Sequence, residues 1–376
     1  SFIELRVSLQ VCHARPEIQQ RRLDATMIYI YTPYRRDETT YAALRVAQVA
    51  LEMSNQEVFI LPQGTKSGVA SSFWDAHVLS RVNVLPAILS ATTIVHMGVD
   101  HDFITMTQHY RRSVSKKCNQ ILVPLWQSTR LESVETIRSF FDYCVVPTPS
   151  IKKTFTQCVY GKTRTKKLLT VPWDVRSPIT KRTGHVRKNI RRICVVADSD
   201  AISNSAGFML SAIDELLNLH SNLEFTLLCT KNFAPTDKQT LKSMLRDLPT
   251  RFVMQPMPKL DELATHFHAH DWVWFPSRKS NFGAFATLAT TCGCPVLAWD
   301  IPPYSDIIKT DETGVLVPCD IKTNWMQAPS AINDTSNFVK YASLAFAQEQ
   351  IFETMATRSI ENSTVFADAW CELLVP

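Results

Sequence analysis

The sequence predicts an α/β protein of two domains, each built on a parallel sheet with helices packed against it. The clearest observation is the order of elements between residues 271 and 320, where the apolar strand Trp272 to Phe275 leads through a polar loop into a small-residue helix. A second apolar strand, Val296 to Trp299, follows, and this strand-helix-strand order is typical of parallel pairing. The chain has 376 residues, which exceeds the length at which one core keeps growing, so we expect two domains.

The same alternation predicts the other elements. In the first half, the predicted elements are the strand Met27 to Tyr31, a helix from Tyr41 to Leu51, and the strands Val58 to Leu61, Thr93 to His96 and Gln120 to Leu125. In the second half, they are the strand Ile193 to Ala197, a helix carrying Phe208 to Leu217, the strand Phe225 to Cys229, a helix Leu241 to Leu248, the strand Phe252 to Gln255, and helices Leu260 to His268, Val339 to Met355 and Ser359 to Leu374. Residues 1–24 are interpreted as a strand and a linker.

Glycine use draws attention to the loop at residues 276–283. The chain has only 9 glycines, far below the roughly 7% of an average protein, and Gly283, Gly293 and Gly314 all lie in the stretch described first. Glycine serves positions where the backbone needs an unusual conformation. The loop also stands at the carboxyl end of a parallel strand, where ligands bind, and the next helix begins with free N–H groups that suit a phosphate.

Composition bounds the class of protein. The 10 cysteines are scattered without any C-x-x-C spacing, so we expect buried free thiols rather than a disulfide framework or a zinc site. His266 and His270 share a helix face, but no third ligand is evident, and no metal is predicted. No apolar run is long enough for a transmembrane helix, and the first residues lack a signal-peptide pattern, so we expect a cytoplasmic or nuclear protein.

The ordered motifs between Pro276 and Pro318 resemble a known family. The spacing P-S-x(5)-G-x(9)-G-x-P-V is followed by D-x-x-P and T-G-x-L-V-P, and the matching residues are Pro276, Ser277, Gly283, Gly293, Pro295, Val296, Asp300, Pro303, Thr313, Gly314, Leu316, Val317 and Pro318. This pattern is similar to the donor half of retaining GT-B glycosyltransferases of the group 1 type. The resemblance implies two Rossmann-like domains that face each other across a cleft. It places an acceptor-side domain at 1–175, a donor domain at 176–355, and a C-terminal helix, 356–376, that packs back on the first domain.

The resemblance also implies a donor site for a nucleotide-sugar of the UDP or GDP type, with no metal or other cofactor required. The candidate donor-binding residues are Ser205, Lys231, Pro258, Ser277, Lys279, Ser280, Asn281, Phe282, Gly283, Ala284, Phe285 and Leu288. Several of them depart from the family pattern. Ser280 and Leu288 stand where the family has two glutamates, and neither Asp198 nor Ser205 supplies the basic residues expected after the first strand of the donor domain. Lys231 and Lys279 are the lysines placed to compensate.

Three residues are candidates for the chemistry. His96 ends a predicted strand and Asp100 follows closely, a pairing that suits general acid and base catalysis. The alternative is a structural histidine with Asp100 as a helix N-cap. Trp126 follows the fourth strand where many family members have a histidine beside the transferred sugar.

Three functions stay open. The first is a divergent glycosyltransferase that acts with retention of configuration; the second is a catalytically degenerate GT-B pseudoenzyme that binds or regulates a partner; the third is an epimerase-like activity on the same fold. The acceptor of a transferase would be DNA, such as hydroxymethylated DNA, or a glycan, a lipid or a protein. The net charge is +5, and basic clusters at 111–117 and 162–167 favour a polyanion. Peripheral contact with a membrane surface is the competing explanation for those clusters.

Overall fold

The computed structural model describes residues 26–33, 38–53, 56–63, 92–97, 118–124, 141–158, 168–173, 190–197, 199–229, 251–278, 282–324, 327–331, 334–347 and 363–374. The strands are β1 (Thr26–Pro33), β2 (Gln56–Gln63), β3 (Thr93–Met97), β4 (Asn119–Val123), β5 (Tyr143–Val146), β6 (Leu168–Thr170), β7 (Arg191–Ala197), β8 (Leu223–Cys229), β9 (Phe252–Pro256), β10 (Trp272–Phe275), β11 (Val296–Trp299), β12 (Gly314–Val317), β13 (Ile321–Asn324) and β14 (Gln327–Ala331). The helices are α1 (Glu38–Glu52), α2 (Pro149–Cys158), α3 (Ser199–Leu219), α4 (Leu260–His268), α5 (Ala284–Thr291), α6 (Tyr304–Ile307), α7 (Thr335–Ala347) and α8 (Ser363–Leu374).

The first sheet holds six parallel strands in the order β2-β1-β3-β4-β5-β6. In its register, Ile30 of β1 lies between Ile60 of β2 and Val95 of β3, and all three side chains are buried. Continuous apolar runs of this kind suit parallel strands that are covered by helices on both faces. The direction of winding reverses beside β1, because β2 lies on one side of β1 and all later strands lie on the other.

The C-terminal helix α8 packs on this first sheet. The Thr93 hydroxyl donates a hydrogen bond to the carbonyl of Leu374 at 3.0 Å, and the Asn119 side chain donates one to the carbonyl of Leu373 at 2.8 Å. These bonds supply partners for carbonyls at the end of a helix, which have none within the helix itself. The predicted boundary near residue 176 lies outside the described residues, and the limits of the two domains stay a prediction.

The second sheet also holds six parallel strands, in the order β12-β11-β10-β7-β8-β9. Here the winding reverses between β7 and β10. An aromatic layer covers the sheet, in which Trp274 stacks on Phe338 of α7 with ring centroids 4.5 Å apart and Phe208 of α3 packs edge-on against both. The predicted α/β class with two Rossmann-like domains is therefore confirmed.

The structure adds elements that the sequence patterns did not predict. The short helix α6 lies between β11 and β12, and the antiparallel hairpin β13–β14 follows β12. Two predicted elements, the strand within residues 1–24 and the helix Leu241 to Leu248, lie outside the described residues. The eight cysteines whose side chains the structure describes are free and six of them are buried, in agreement with the expectation for thiols.

None of the helices in the described ranges has the length and apolar character needed to span a membrane. Within the same ranges, no group of three or more His, Cys, Asp or Glu side chains is arranged to hold a metal ion. The basic clusters at 111–117 and 162–167 fall outside them.

Candidate functional site between the two sheets

Topology locates one candidate site on each sheet. In open parallel sheets, ligands bind beyond the carboxyl ends of the strands, at the point where the direction of winding reverses. On the second sheet this point lies between β7 and β10, and the loop that leaves β10 runs from residue 276 to Gly283. On the first sheet it lies between β1 and β3, and α1 begins at Glu38 shortly after β1.

The loop after β10 ends in a turn that requires glycine. Gly283 has φ of +69°, the left-handed region that L side chains rarely adopt. A methyl group at this position would run into the Ile307 side chain and would lie 3.1 Å from the ring of Pro303. The carbonyl of Gly283 accepts hydrogen bonds from the backbone N–H and the hydroxyl of Thr287, at 2.9 Å and 3.0 Å, which secures the first turn of α5.

A carboxylate from the first sheet's side lies at the start of α5. One oxygen of Glu38 accepts a hydrogen bond from the N–H of Phe282 at 3.2 Å, and the other accepts one from the N–H of Phe285 at 3.3 Å. The positive end of the α5 dipole favours an anion at this place. One turn further along α1, Tyr41 packs edge-on against the Phe285 ring with centroids 5.7 Å apart.

Aromatic packing joins the same loop to the first sheet and to α8. Trp173, three residues after the end of β6, packs edge-on against Phe282 with ring centroids 5.5 Å apart. The same indole also contacts Phe366 and Trp370 of α8, at 5.3 Å and 6.2 Å. Because Phe282 and Trp370 are fully buried, the loop is anchored to the first half of the molecule by apolar contacts as well as by Glu38.

A second carboxylate makes the reciprocal contact. Asp306 of α6 accepts the hydroxyl of Ser150 at 2.6 Å and the backbone N–H of Ser150 at 3.2 Å, at the start of α2. Each half of the molecule thus receives, at one helix N-terminus, a carboxylate from the other half. Helix N-termini have unpaired N–H groups, and an anionic acceptor stabilises them.

The predicted donor-binding residues fall into three groups. Those at the Gly283 turn are buried, and they are Ser277, Phe282, Gly283, Ala284, Phe285 and Leu288. A second group lies outside the described residues and comprises Lys231, Lys279, Ser280 and Asn281, together with Ser205, of which only the backbone is described. Pro258 stands alone after β9, which is three strands from β10, or roughly 14 Å at the usual strand spacing. The binding roles of all of them stay predictions.

Among the catalytic candidates, the structure describes His96 and leaves Asp100 and Trp126 outside its described ranges. His96 is 5% exposed, and its ring packs between Phe141 and Tyr31 at centroid distances of 5.1 Å and 6.3 Å. Burial lowers the pKa of His96 to about 3, against the opposing effect of a hydrogen bond with the Gln120 side chain. A histidine that stays neutral across the physiological range supports the structural alternative.

Two residues of the site were missed by the sequence analysis. Glu38 is the first; it lies three residues before the predicted helix Tyr41 to Leu51, and the sequence offers only an acidic residue in the preceding polar loop. Arg278 is the second; it directly follows Ser277 in the loop, and its buried Nε–H meets no acceptor among the described residues. Its carbonyl accepts a hydrogen bond from the N–H of Ala331 at 3.1 Å, so the hairpin β13–β14 braces the loop.

The two parallel sheets and the site between them define the fold class of the protein. Solved structures with the same architecture include sucrose-phosphate synthase from Thermosynechococcus elongatus, with a TM-score of 0.65 and 12% identity over 93% of this chain and 94% of that one. They also include TarM from S. aureus in complex with fondaparinux, α-GlcNAc-glycerol and UDP, with a TM-score of 0.57 and 11% identity over 75% of this chain and 55% of the other. The protein has the GT-B fold.

A sequence match to a known family covers part of the chain. Residues 190–332, which span β7 to β14, match the family model for glycosyl transferases group 1. A D-inositol 3-phosphate glycosyltransferase from Paenarthrobacter aurescens is 31% identical over 116 residues, or 31% of this chain and 28% of its own length. The chain spans about a third or less of the length of the curated relatives it matches. The predicted resemblance to group 1 glycosyltransferases is confirmed, at low identity.

Proposed function

We propose that this protein is a glycosyltransferase that moves a sugar from a UDP- or GDP-type nucleotide-sugar to an acceptor with retention of configuration. The observation that carries the proposal is the family match over residues 190–332, because it includes β7 and β10 at the winding reversal and the Gly283 turn that follows β10. The structure of TarM with UDP supports a uridine nucleotide as the first donor to test.

The chemistry follows from charge. When the bond between sugar and diphosphate breaks, negative charge builds on the leaving nucleoside diphosphate and positive charge on the sugar ring. Preorganised N–H donors and cations around the leaving group stabilise such a transition state without a metal. The proposal assigns this role to the N–H groups at the start of α5, to Arg278 and to Lys279, with Lys231, which follows β8 in the sequence, as a further candidate.

The decisive experiment is calorimetry with a panel of UDP- and GDP-sugars. Hydrogen bonds to charged groups contribute roughly 1.5–3 kcal/mol each, so we expect Lys279→Ala to weaken donor binding about tenfold or more. Lys340→Ala is the matched control, because Lys340 is exposed on α7 and should leave the affinity unchanged. Equal affinity for wild type and Lys279→Ala would remove Lys279 from the site.

The acceptor is proposed to be an anionic molecule, such as hydroxymethylated DNA. The proposal is supported by the basic clusters at 111–117 and 162–167 and by a relative named for D-inositol 3-phosphate, an anionic compound. Transfer assays should compare modified duplex DNA, a phosphorylated polyol and a neutral glycan. Binding to DNA that does not weaken as salt rises would contradict a contact made through phosphates.

A GT-B pseudoenzyme is the second candidate, and two observations favour it. Leu288, at one of the positions where the family has a glutamate, is 1% exposed and belongs to the core of α5. Glu38 already accepts the N–H groups of Phe282 and Phe285. A wild-type protein that binds none of the nucleotide-sugars would support this candidate over the transferase.

A further inference from the structure

We propose that Glu38 is an autoinhibitory residue that occupies the anion position at the start of α5 until a donor displaces it. This inference rests on the proposed function, because it concerns the place where the donor's diphosphate binds. It goes further in stating that the ligand-free protein supplies its own anion there, and that donor binding and the Glu38 contact exclude each other.

The geometry of the contact carries the first step. Each oxygen of the Glu38 carboxylate takes one backbone N–H, from Phe282 at 3.2 Å and from Phe285 at 3.3 Å. A phosphate oxygen that bonded to either N–H would have to stand where a carboxylate oxygen now stands. A phosphate placed beside the carboxylate instead would meet a like charge in a half-buried setting.

Glu38 lies close to the N-termini of two helices. Glu38 lies in the first turn of α1, so its carboxylate is near the positive end of its own helix as well as that of α5. The contact between Tyr41 and Phe285 keeps the two helix starts close together. Two positive helix ends that converge favour one anion between them, and in the ligand-free chain Glu38 is that anion.

The consequence concerns both binding and movement. Glu38 has a long, flexible side chain, so it can turn away when a more highly charged diphosphate arrives. The displaced carboxylate then no longer ties α1 to α5, while the Tyr41–Phe285 contact remains between the two helix starts. Donor binding therefore loosens one link between the two halves of the molecule, while the Asp306–Ser150 link on the other side is unchanged.

The experiment uses two matched variants. Glu38→Gln keeps the size of the side chain and removes its charge. Asp306→Asn does the same to the other carboxylate that crosses between the halves, at the start of α2 rather than α5. Calorimetry with inorganic pyrophosphate and with UDP should show a Kd for Glu38→Gln that is lower than that of wild type by about tenfold or more. The Kd of Asp306→Asn should equal that of wild type.

A second measurement reports on the contact directly. Hydrogen exchange of the Phe282 and Phe285 amides should be faster in ligand-free Glu38→Gln than in wild type, and pyrophosphate should slow it again. Thermal unfolding of each variant verifies that it is folded, and Glu38→Ala repeats the test without any acceptor in the side chain.

The outcomes separate this inference from the proposed function. Equal affinities of wild type and Glu38→Gln, the same gain for both variants, or no binding of pyrophosphate to any variant overturns the inference. Tight binding of pyrophosphate by Glu38→Gln with no binding of UDP or of any nucleotide-sugar would support the inference that Glu38 occupies an anion position. The same result would overturn the proposed glycosyltransferase function. Tighter binding of both probes by Glu38→Gln alone supports the two together.

Discussion

Each sheet has an edge formed by the carboxyl ends of its parallel strands. The residues that occupy this edge differ between the two sheets. At the first sheet's edge, His96 is packed between aromatic rings and burial lowers its pKa to about 3. At the second sheet's edge, the Gly283 turn presents backbone N–H groups that already hold a carboxylate. Topology alone makes both edges candidates for a ligand. The first edge is filled by packed side chains, whereas the second edge offers backbone N–H groups to an anionic acceptor, so the second edge is the better candidate for an anion.

The largest expected effect comes from breaking the packing between the two edges. Trp173 contacts the loop through Phe282 and contacts α8 through Phe366 and Trp370. Trp173→Ala removes a buried indole, and we expect it to lower the free energy of unfolding by about 3–5 kcal/mol. Denaturant unfolding measures the loss, and Trp173→Phe should lose clearly less because a ring remains. A loss below about 1 kcal/mol for Trp173→Ala would show that the two edges are stabilised separately.

A smaller effect is expected at the second edge itself. Gly283→Ala forces a left-handed conformation on alanine, at about 1–2 kcal/mol, and pushes a methyl group into Ile307, at about 1–3 kcal/mol. The total loss of unfolding free energy should be about 2–5 kcal/mol. Gly207→Ala is the control, because Gly207 lies exposed within α3 with open space around it. That substitution should stabilise the protein by roughly 0.5–1 kcal/mol through helix propensity. A stabilised Gly283→Ala would refute the requirement for glycine.

The contrast between the edges also shows what the sequence can predict. The strands Trp272–Phe275 and Val296–Trp299 were predicted with the bounds observed, because each is a short apolar run flanked by polar or turn residues. The helix Leu260–His268 was also predicted with the bounds observed, from its apolar residues at helical spacing. The Gly283 turn was found because glycine is rare in this chain.

The contacts between the halves could not be predicted in the same way. Glu38 and Phe282 are 244 residues apart in sequence, and no local pattern encodes which carboxylate meets which helix. The hairpin β13–β14 was missed for a local reason. The strand β14 contains Pro329 and few β-branched residues, which argues against a strand except at an edge or in an isolated pair. His96 was correctly placed at the end of a strand, but its burial depends on Tyr31 and Phe141, which are distant in sequence.

The smallest expected effect tests the first edge through pH. The folded protein keeps His96 neutral because its pKa is about 3, whereas the unfolded chain takes up a proton below about pH 6.5. The unfolded state therefore binds more protons between these values, so stability is lost as the pH falls below about 6.5. One pKa unit corresponds to about 1.4 kcal/mol, which gives a loss of about 2 kcal/mol by about pH 5.

In His96→Gln and His96→Phe this contribution is absent, so the decrease of unfolding free energy between about pH 6.5 and pH 5 should be smaller than in wild type by that amount. Urea unfolding at several pH values measures it, and the difference between variants cancels the other histidines. The same pH dependence in wild type and both variants would mean that His96 exchanges protons in the folded state, which would return it to the list of catalytic candidates.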